Sequence, residues 1–220
     1  MSRKTDNGLQ LKINGECIVG YSEKEWTKGI DGEYRNKTVN HSSTEKYLYK
    51  ILNIFGNDGA NAEMLPGRYE YPFRVTLPYG IPSSFKGKHG QVVYEITAVL
   101  PRSWAFDCQT STKFHVLGML DLNSVPFAHQ QSIQQKRKRI KSFCSWRREL
   151  SFTLVLQRCG VTIGECVPIL LEIKNRTKYP AKGIFTIVQE TTFYADHNQR
   201  SVQNIICAVE GPNVLPGDVI

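Results

Sequence analysis

The chain has 220 residues, 40% of them hydrophobic, and a net charge of +8, enough length for one large or two small domains. Its longest apolar runs fall far short of a membrane span, and Met1 to Leu11 contain no apolar signal-peptide core, which predicts a soluble, intracellular protein. Helical 3.6-residue periodicity is scarcely detectable, leaving an all-β inventory.

Nine strands are predicted, over roughly 9–21, 46–55, 68–77, 91–100 and 110–117, then 149–158, 166–174, 182–194 and 202–209. The stretch from Thr27 to Thr44 is polar and rich in Asn, Ser and Thr, and reads as a mobile loop. Next come Leu65-Pro66-Gly67-Arg68-Tyr69-Glu70-Tyr71-Pro72-Phe73, then Thr76-Leu77-Pro78, Pro82-Ser83-Ser84-Phe85, Gly87, Gly90, Tyr94, Ala98 and Arg102-Ser103-Trp104. Tyr69, Tyr71, Phe73, Val75 and Leu77 alternate with polar residues, as do Val92, Tyr94, Ile96, Ala98 and Leu100. Pro72 cannot donate to a ladder, so its strand should be an edge or carry a bulge. Gly87 and Gly90 are expected to supply backbone freedom, with Phe85 pinning the crossing loop.

Residues 118–146 lack strand alternation and read as a connector. Beyond it, Leu150, Phe152, Leu154 and Leu156 alternate, and so do Val167, Ile169, Leu171 and Ile173, with Gly160 and Gly164 bracketing the turn between them.

The Pro, Gly, Ser-Ser-Phe and Arg-x-Trp string resembles the N-terminal arrestin domain, and among its relatives the arrestin-domain-containing (α-arrestin) proteins. Leu156, Arg158, Gly160, Gly164-Glu165 and Glu172-Ile173-Lys174-Asn175 are similar to the opening strands of the C-terminal arrestin domain. The resemblance implies two arrestin-like, immunoglobulin-like antiparallel β-sandwich domains: an N-terminal-like domain over 1–130, a basic connector over 131–147 and a C-terminal-like domain over 148–220. Both would be incomplete beside the family pattern, the first lacking its earliest strands and the second its later ones.

Residues 136–148 hold seven cations and no acid, while the rest of the chain carries 21 cations against 20 acids. The charge is therefore local, unlike a general nucleic-acid-binding surface. Lys136, Arg137, Lys138, Arg139 and Lys141 are the candidate contacts for an anionic lipid surface or a phosphorylated partner; a solvated linker and a nuclear-localisation signal are the competing readings.

No catalytic signature, metal-ligand spacing or cofactor motif is found, so no enzyme, metal or cofactor is expected. The five histidines are scattered singly and read as structural. The six cysteines, with no Cys-x-x-Cys spacing, read as free, semi-buried thiols. The sequons at Asn36, Asn40 and Asn175 read as unmodified in such a compartment.

The function implied by the resemblance is that of a cytoplasmic adaptor, peripheral to plasma membrane or endosomes. Such an adaptor docks on cytoplasmic segments of membrane receptors or transporters and, in full-length form, links cargo to ubiquitin ligases through tail Pro-Pro-x-Tyr motifs absent from these residues. A terminator of receptor signalling like the visual and β-arrestins, and a retromer-type sorting subunit, are the alternatives.

Overall fold

A computed structural model describes residues 3–5, 8–28, 32–56, 62–101, 106–139 and 149–220. Among them the chain is all-β and antiparallel, as its alternation predicts, apart from one 3-10 turn at Leu122–Ser124 whose first amide is capped by the Asp121 side chain. Contacts divide it into two compact units: Met1–Met119 with Glu190–Val202, and Leu120–Gln189 with Gln203–Ile220. No helix among the described residues is long and apolar enough to cross a membrane.

The first unit is organised around two long strands, β2 (Leu9–Lys28) and β3 (Tyr34–Phe55), preceded by β1 (Arg3–Thr5), which pairs with β4 (Ala62–Met64). The other side of β2 carries β6 (Gly90–Leu100), and β6 in turn pairs with the short β5 (Phe85–Lys86) and with β7 (Cys108–Phe114). Gly15 on β2 lies opposite both Leu48 and Tyr94. A Cβ there would meet the Tyr94 ring at 2.5 Å, so the glycine is the space the aromatic ring occupies. Ile13, Leu48, Tyr94 and Val116 form the buried centre, flanked by Val75, Leu77, Ile81 and Phe114.

The crossing loop is tied to this centre by polar contacts that account for the Pro-Ser-Ser wording. The Tyr94 hydroxyl donates to the Pro82 carbonyl at 2.6 Å. The Val116 amide donates to Ser84 Oγ at 3.0 Å, the Ser84 amide to the Val116 carbonyl, and the Gly118 amide to Ser83 Oγ at 2.8 Å. A buried backbone segment without a ladder must find such partners. Gly87 and Gly90 act by close approach instead of by unusual torsion: a Cβ at Gly87 would sit 2.7 Å from Phe193, and one at Gly90 would sit 2.9 Å from the Ile18 carbonyl.

The second unit holds β8 (Ser132–Arg139), β9 (Glu149–Leu156) and β10 (Ile169–Asn175) in the order β10-β9-β8, together with the body of the hairpin β11 (Ala181–Ala195) and β12 (Asn198–Val214). Asp196 and His197 turn that hairpin with φ of 49° and 68°, the two positive values a tight two-residue turn demands. Asn175, fully buried, ends β10 with every polar atom satisfied. Its Nδ2 donates to the Tyr179 and Val214 carbonyls at 2.9 and 3.0 Å, while its Oδ1 accepts from the Thr177 amide and hydroxyl. Gly160 approaches Ala128 so closely that a Cβ would lie 2.5 Å from the alanine methyl.

Three expectations are corrected. Residues 68–77 form no ladder; they run over the sheet with Val75 and Leu77 packed on the core, because side-chain burial enforces alternation there without strand pairing. The expected loop over 27–44 is strand from Tyr34 onward, paired residue by residue with 18–28. Both faces are largely solvated there, so the ladder needs no apolar alternation. Residues 132–139, expected within an irregular connector, are strand β8, held by a full register with β9 from Ser132↔Leu156 to Arg139↔Glu149. The thiols also differ from expectation: Cys17 is half-buried, but Cys108, Cys159, Cys166 and Cys207 are exposed. Arg102-Ser103-Trp104, Lys141 and Cys144 lie outside the described residues.

Candidate functional site

Strand β8 carries Lys136, Arg137, Lys138 and Arg139 in succession, all exposed. Period-2 geometry separates them onto two faces, since directly opposed residues share a side of the sheet. Arg137 and Arg139 stand opposite Ser151 and Glu149, and both approach the Glu149 carboxylate at 3.9 Å. Lys136 and Lys138 stand opposite Phe152 and Leu150, above apolar floor, and make no ion pair among the described residues. The arginine face is thus partly compensated. The lysine face is not.

On the lysine side the sheet faces the β11–β12 hairpin across an apolar cleft of about 740 Å³. Phe152, Leu154 and Leu171 line it from the sheet, Ile184 and Ile187 from the hairpin, and Lys136 borders it as well. A lysine can bury its methylenes along such a surface while its ammonium stays in water.

The two edges of this sheet differ. On β10 the outer edge is occupied: the Ile173 amide donates to the Ile220 carbonyl at 2.7 Å, the Ile220 amide donates back at 3.1 Å, and the Asn175 amide reaches the Asp218 carbonyl. On β8 the outer edge carries no strand among the described residues.

The first unit holds a second polar cluster, one that residue spacing does not reveal. Tyr21 and His41 face each other across β2 and β3, with ring centroids 5.3 Å apart, and His89 packs on Tyr21 from 5.9 Å and on Phe193 from 5.5 Å. The tip of the β11–β12 hairpin closes over them. The Ser42 amide donates to Asp196 Oδ2 at 3.0 Å, Asn198 Nδ2 lies 3.3 Å from His41 Nδ1, and Arg200 donates to the Ser22 carbonyl with its guanidinium over the Tyr21 ring. Burial, reinforced by Arg200 and Lys88, holds the His89 pKa below its ordinary value. These histidines were expected to be isolated and structural; His41 is buried in a cluster closed over by residues more than 150 positions away.

Beside this cluster a cavity of about 420 Å³ is lined by Cys17, Glu45, Tyr47 and Thr192, among others. The Tyr47 hydroxyl donates to Glu45 at 2.8 Å. Burial and that carboxylate push the phenol up to about 12. Burial, then the Glu45 charge, raises the Cys17 thiol, with the Tyr47 hydrogen bond opposing them. A thiol held protonated is a poor nucleophile, so this arrangement does not activate Cys17. No group of three or more His, Cys, Asp or Glu that could hold a metal ion occurs among the described residues.

Residues 2–123 match the N-terminal domain family of arrestin (or S-antigen). Across most of its length the chain is similar to arrestin domain-containing protein 17 of Caenorhabditis elegans, 29% identical over 91% of this chain and 50% of the relative. It is similarly related to arrestin domain-containing protein 4 of Mus musculus, 29% identical over 96% of this chain and 50% of the relative. A shorter match, 26% identical, covers 68% of this chain and 35% of arrestin domain-containing protein 1 of Rattus norvegicus. The chain thus spans about half the length of these two curated relatives. The family match spans the motif residues whose contacts build the first unit, from the Gly15–Tyr94 packing to the Pro82-Ser83-Ser84 crossing, and the chain belongs to the arrestin family.

Proposed function

We propose that this protein is an arrestin-type adaptor that docks on cytoplasmic segments of membrane receptors or transporters and takes part in their endocytosis and sorting. The observation that carries the reading is the family match over residues 2–123. Similarity to arrestin domain-containing relatives favours this branch over a visual or β-arrestin-like terminator of signalling and over a retromer-type subunit. The two units would be the N- and C-terminal-like arrestin domains, working on the cytoplasmic face of the plasma membrane or endosomes without catalysis, cofactor or nucleic acid. Lys136, Arg137, Lys138 and Arg139, with Lys141, are the proposed anionic contact.

Cargo binding is the share of the activity proposed for these residues. Ligase recruitment through Pro-Pro-x-Tyr motifs belongs to the full-length family pattern, and no such motif occurs in these 220 residues. Proximity labelling from the tagged chain in cells tests the reading, followed by pull-down of the enriched proteins' purified cytoplasmic tails. Enrichment of receptors or transporters whose tails then bind the purified chain is expected. Labelling spread evenly over cytosolic proteins, or tails that fail to bind directly, would overturn it.

A further inference from the structure

We propose that the outer edge of β8 is a docking site for an extended acidic peptide segment, which adds to the sheet as a further antiparallel or parallel strand. The proposal rests on the adaptor reading only in taking the occupant to be a polypeptide, and it names where and by what chemistry that polypeptide is held.

Three features of the second unit converge on this edge. The first is backbone: β8 is a terminal strand in the order β10-β9-β8, whereas the opposite edge of the same sheet is already paired by the residues around Ile220. A terminal strand presents a row of N–H and C=O groups, which is the recognition surface used in strand addition.

The second is charge. Four successive cations occupy 136–139, and Glu149 is their single ion-pair partner among the described residues, reaching only the two arginines. An added strand places a residue directly opposite Lys136 and another, two positions along, opposite Lys138 on the same face. Carboxylates at those two positions complete pairs that the sheet leaves open. The same charges argue against a second copy of this chain as occupant: β8 on β8 opposes like charges in parallel register, and in the full antiparallel register it sets the cations against Ser132, Ile133, Gln134 and Gln135, so no open pair is completed.

The third is the floor. Lys136 and Gln134 share their face with Phe152 and Leu154 beside the apolar cleft, so an apolar side chain at the Gln134 end of the added strand finds a place to bury. The occupant is therefore a short extended segment with acidic residues at alternate positions, an apolar residue at one end and no proline in between. A membrane surface satisfies the charge alone, and uses neither the backbone edge nor the cleft.

Fluorescence anisotropy with the purified 220-residue chain tests this, using a labelled nine-residue peptide whose alternate residues are Glu except for a Val at one end, with Thr between them. Two controls share its charge or length: the same sequence N-methylated at alternate backbone amides, and a peptide with Lys in place of Glu. Binding should weaken several-fold between 50 and 300 mM salt. It should fall about tenfold or more with N-methylation, and by a similar factor in the K136E/K138E variant, where attractive cross-strand pairs become repulsive. An unchanged melting temperature in that variant excludes misfolding as the cause.

Equal affinity for the N-methylated peptide would overturn strand addition, and retention of binding by K136E/K138E would overturn the assignment to β8. No binding of the acidic peptide would mean that the cations only shield the edge from aggregation. Binding to phosphatidylserine vesicles that depends on Lys136 and Lys138, without binding of the peptide, would hand the site to a lipid surface. If the peptide fails while membrane-protein tails still bind, the adaptor reading stands and this site alone falls.

Discussion

Tyr94 and Pro82 are joined by a 2.6 Å hydrogen bond from the phenol to the proline carbonyl, at a tyrosine with no exposed surface. The bond anchors the crossing loop over the sheet and gives the Pro82 carbonyl the partner that a ladder would otherwise supply. Replacing Tyr94 by Phe keeps the packing and strands that carbonyl, at a cost of about 1–2 kcal/mol. Tyr94→Ala removes the ring as well and should cost about 3–5 kcal/mol. Urea unfolding of both variants checks the ordering; a Phe variant as unstable as Ala would mean that the hydrogen bond outweighs the ring.

Gly15 is the counterpart of that ring. An alanine methyl there meets Tyr94 at 2.5 Å and the Leu48 side chain at 3.1 Å, which forces overpacking. Gly15→Ala should destabilise by about 1–3 kcal/mol. The double variant with Tyr94→Phe should be no more tolerant, since the clash is with ring carbons; a full rescue by Phe would show that the ring moves freely once its hydroxyl is released.

Asn175→Ala leaves the Val214 carbonyl and the Thr177 amide without their side-chain partner, while the Tyr179 carbonyl keeps the Thr177 hydroxyl. A loss of about 2–4 kcal/mol is expected from the second unit, since each stranded buried group costs about 1–3 kcal/mol and part is recovered by water. Thermal melts of Asn175→Ala and Asn175→Asp would show it. Asp should rank with Ala, because a carboxylate cannot donate to the two carbonyls.

His89 makes the first unit sensitive to acid. Its folded-state pKa lies below the unfolded value, so the folded chain favours the neutral ring. The associated stability is present above the unfolded pKa of about 6.5 and is lost as pH falls through the lower folded value. Urea midpoints measured from pH 8 to pH 5 should therefore decline at the acid end, and more steeply for the native chain than for His89→Gln. Equal slopes would remove His89 as the source.

Much of the sheet was legible in residue spacing, because alternate residues such as Val92, Tyr94 and Ile96 pack together at the core. Alternation reports burial, however, not pairing. Residues 68–77 alternate for packing and form no ladder, while 34–44 and 132–139 pair fully with almost no apolar signal. The basic run was visible as composition; its separation into a compensated arginine face and an open lysine face needed the register with β9. The Tyr21–His41–His89 cluster had no local signal at all, since Asn198 meets His41 across 157 residues.

The hairpin tip also sets an order of events during synthesis. Val19 and Tyr21 are covered by Phe193 and Ala195, and Arg200 reaches Ser22 across 178 residues. At ribosomal rates of about 5–20 residues per second, the lid arrives roughly 10–40 s after the surface it covers. Until then this buried cluster of the amino-terminal unit stands open to water, and to any chaperone that recognises exposed aromatic side chains. Strand β2 is thus completed only by a segment made much later.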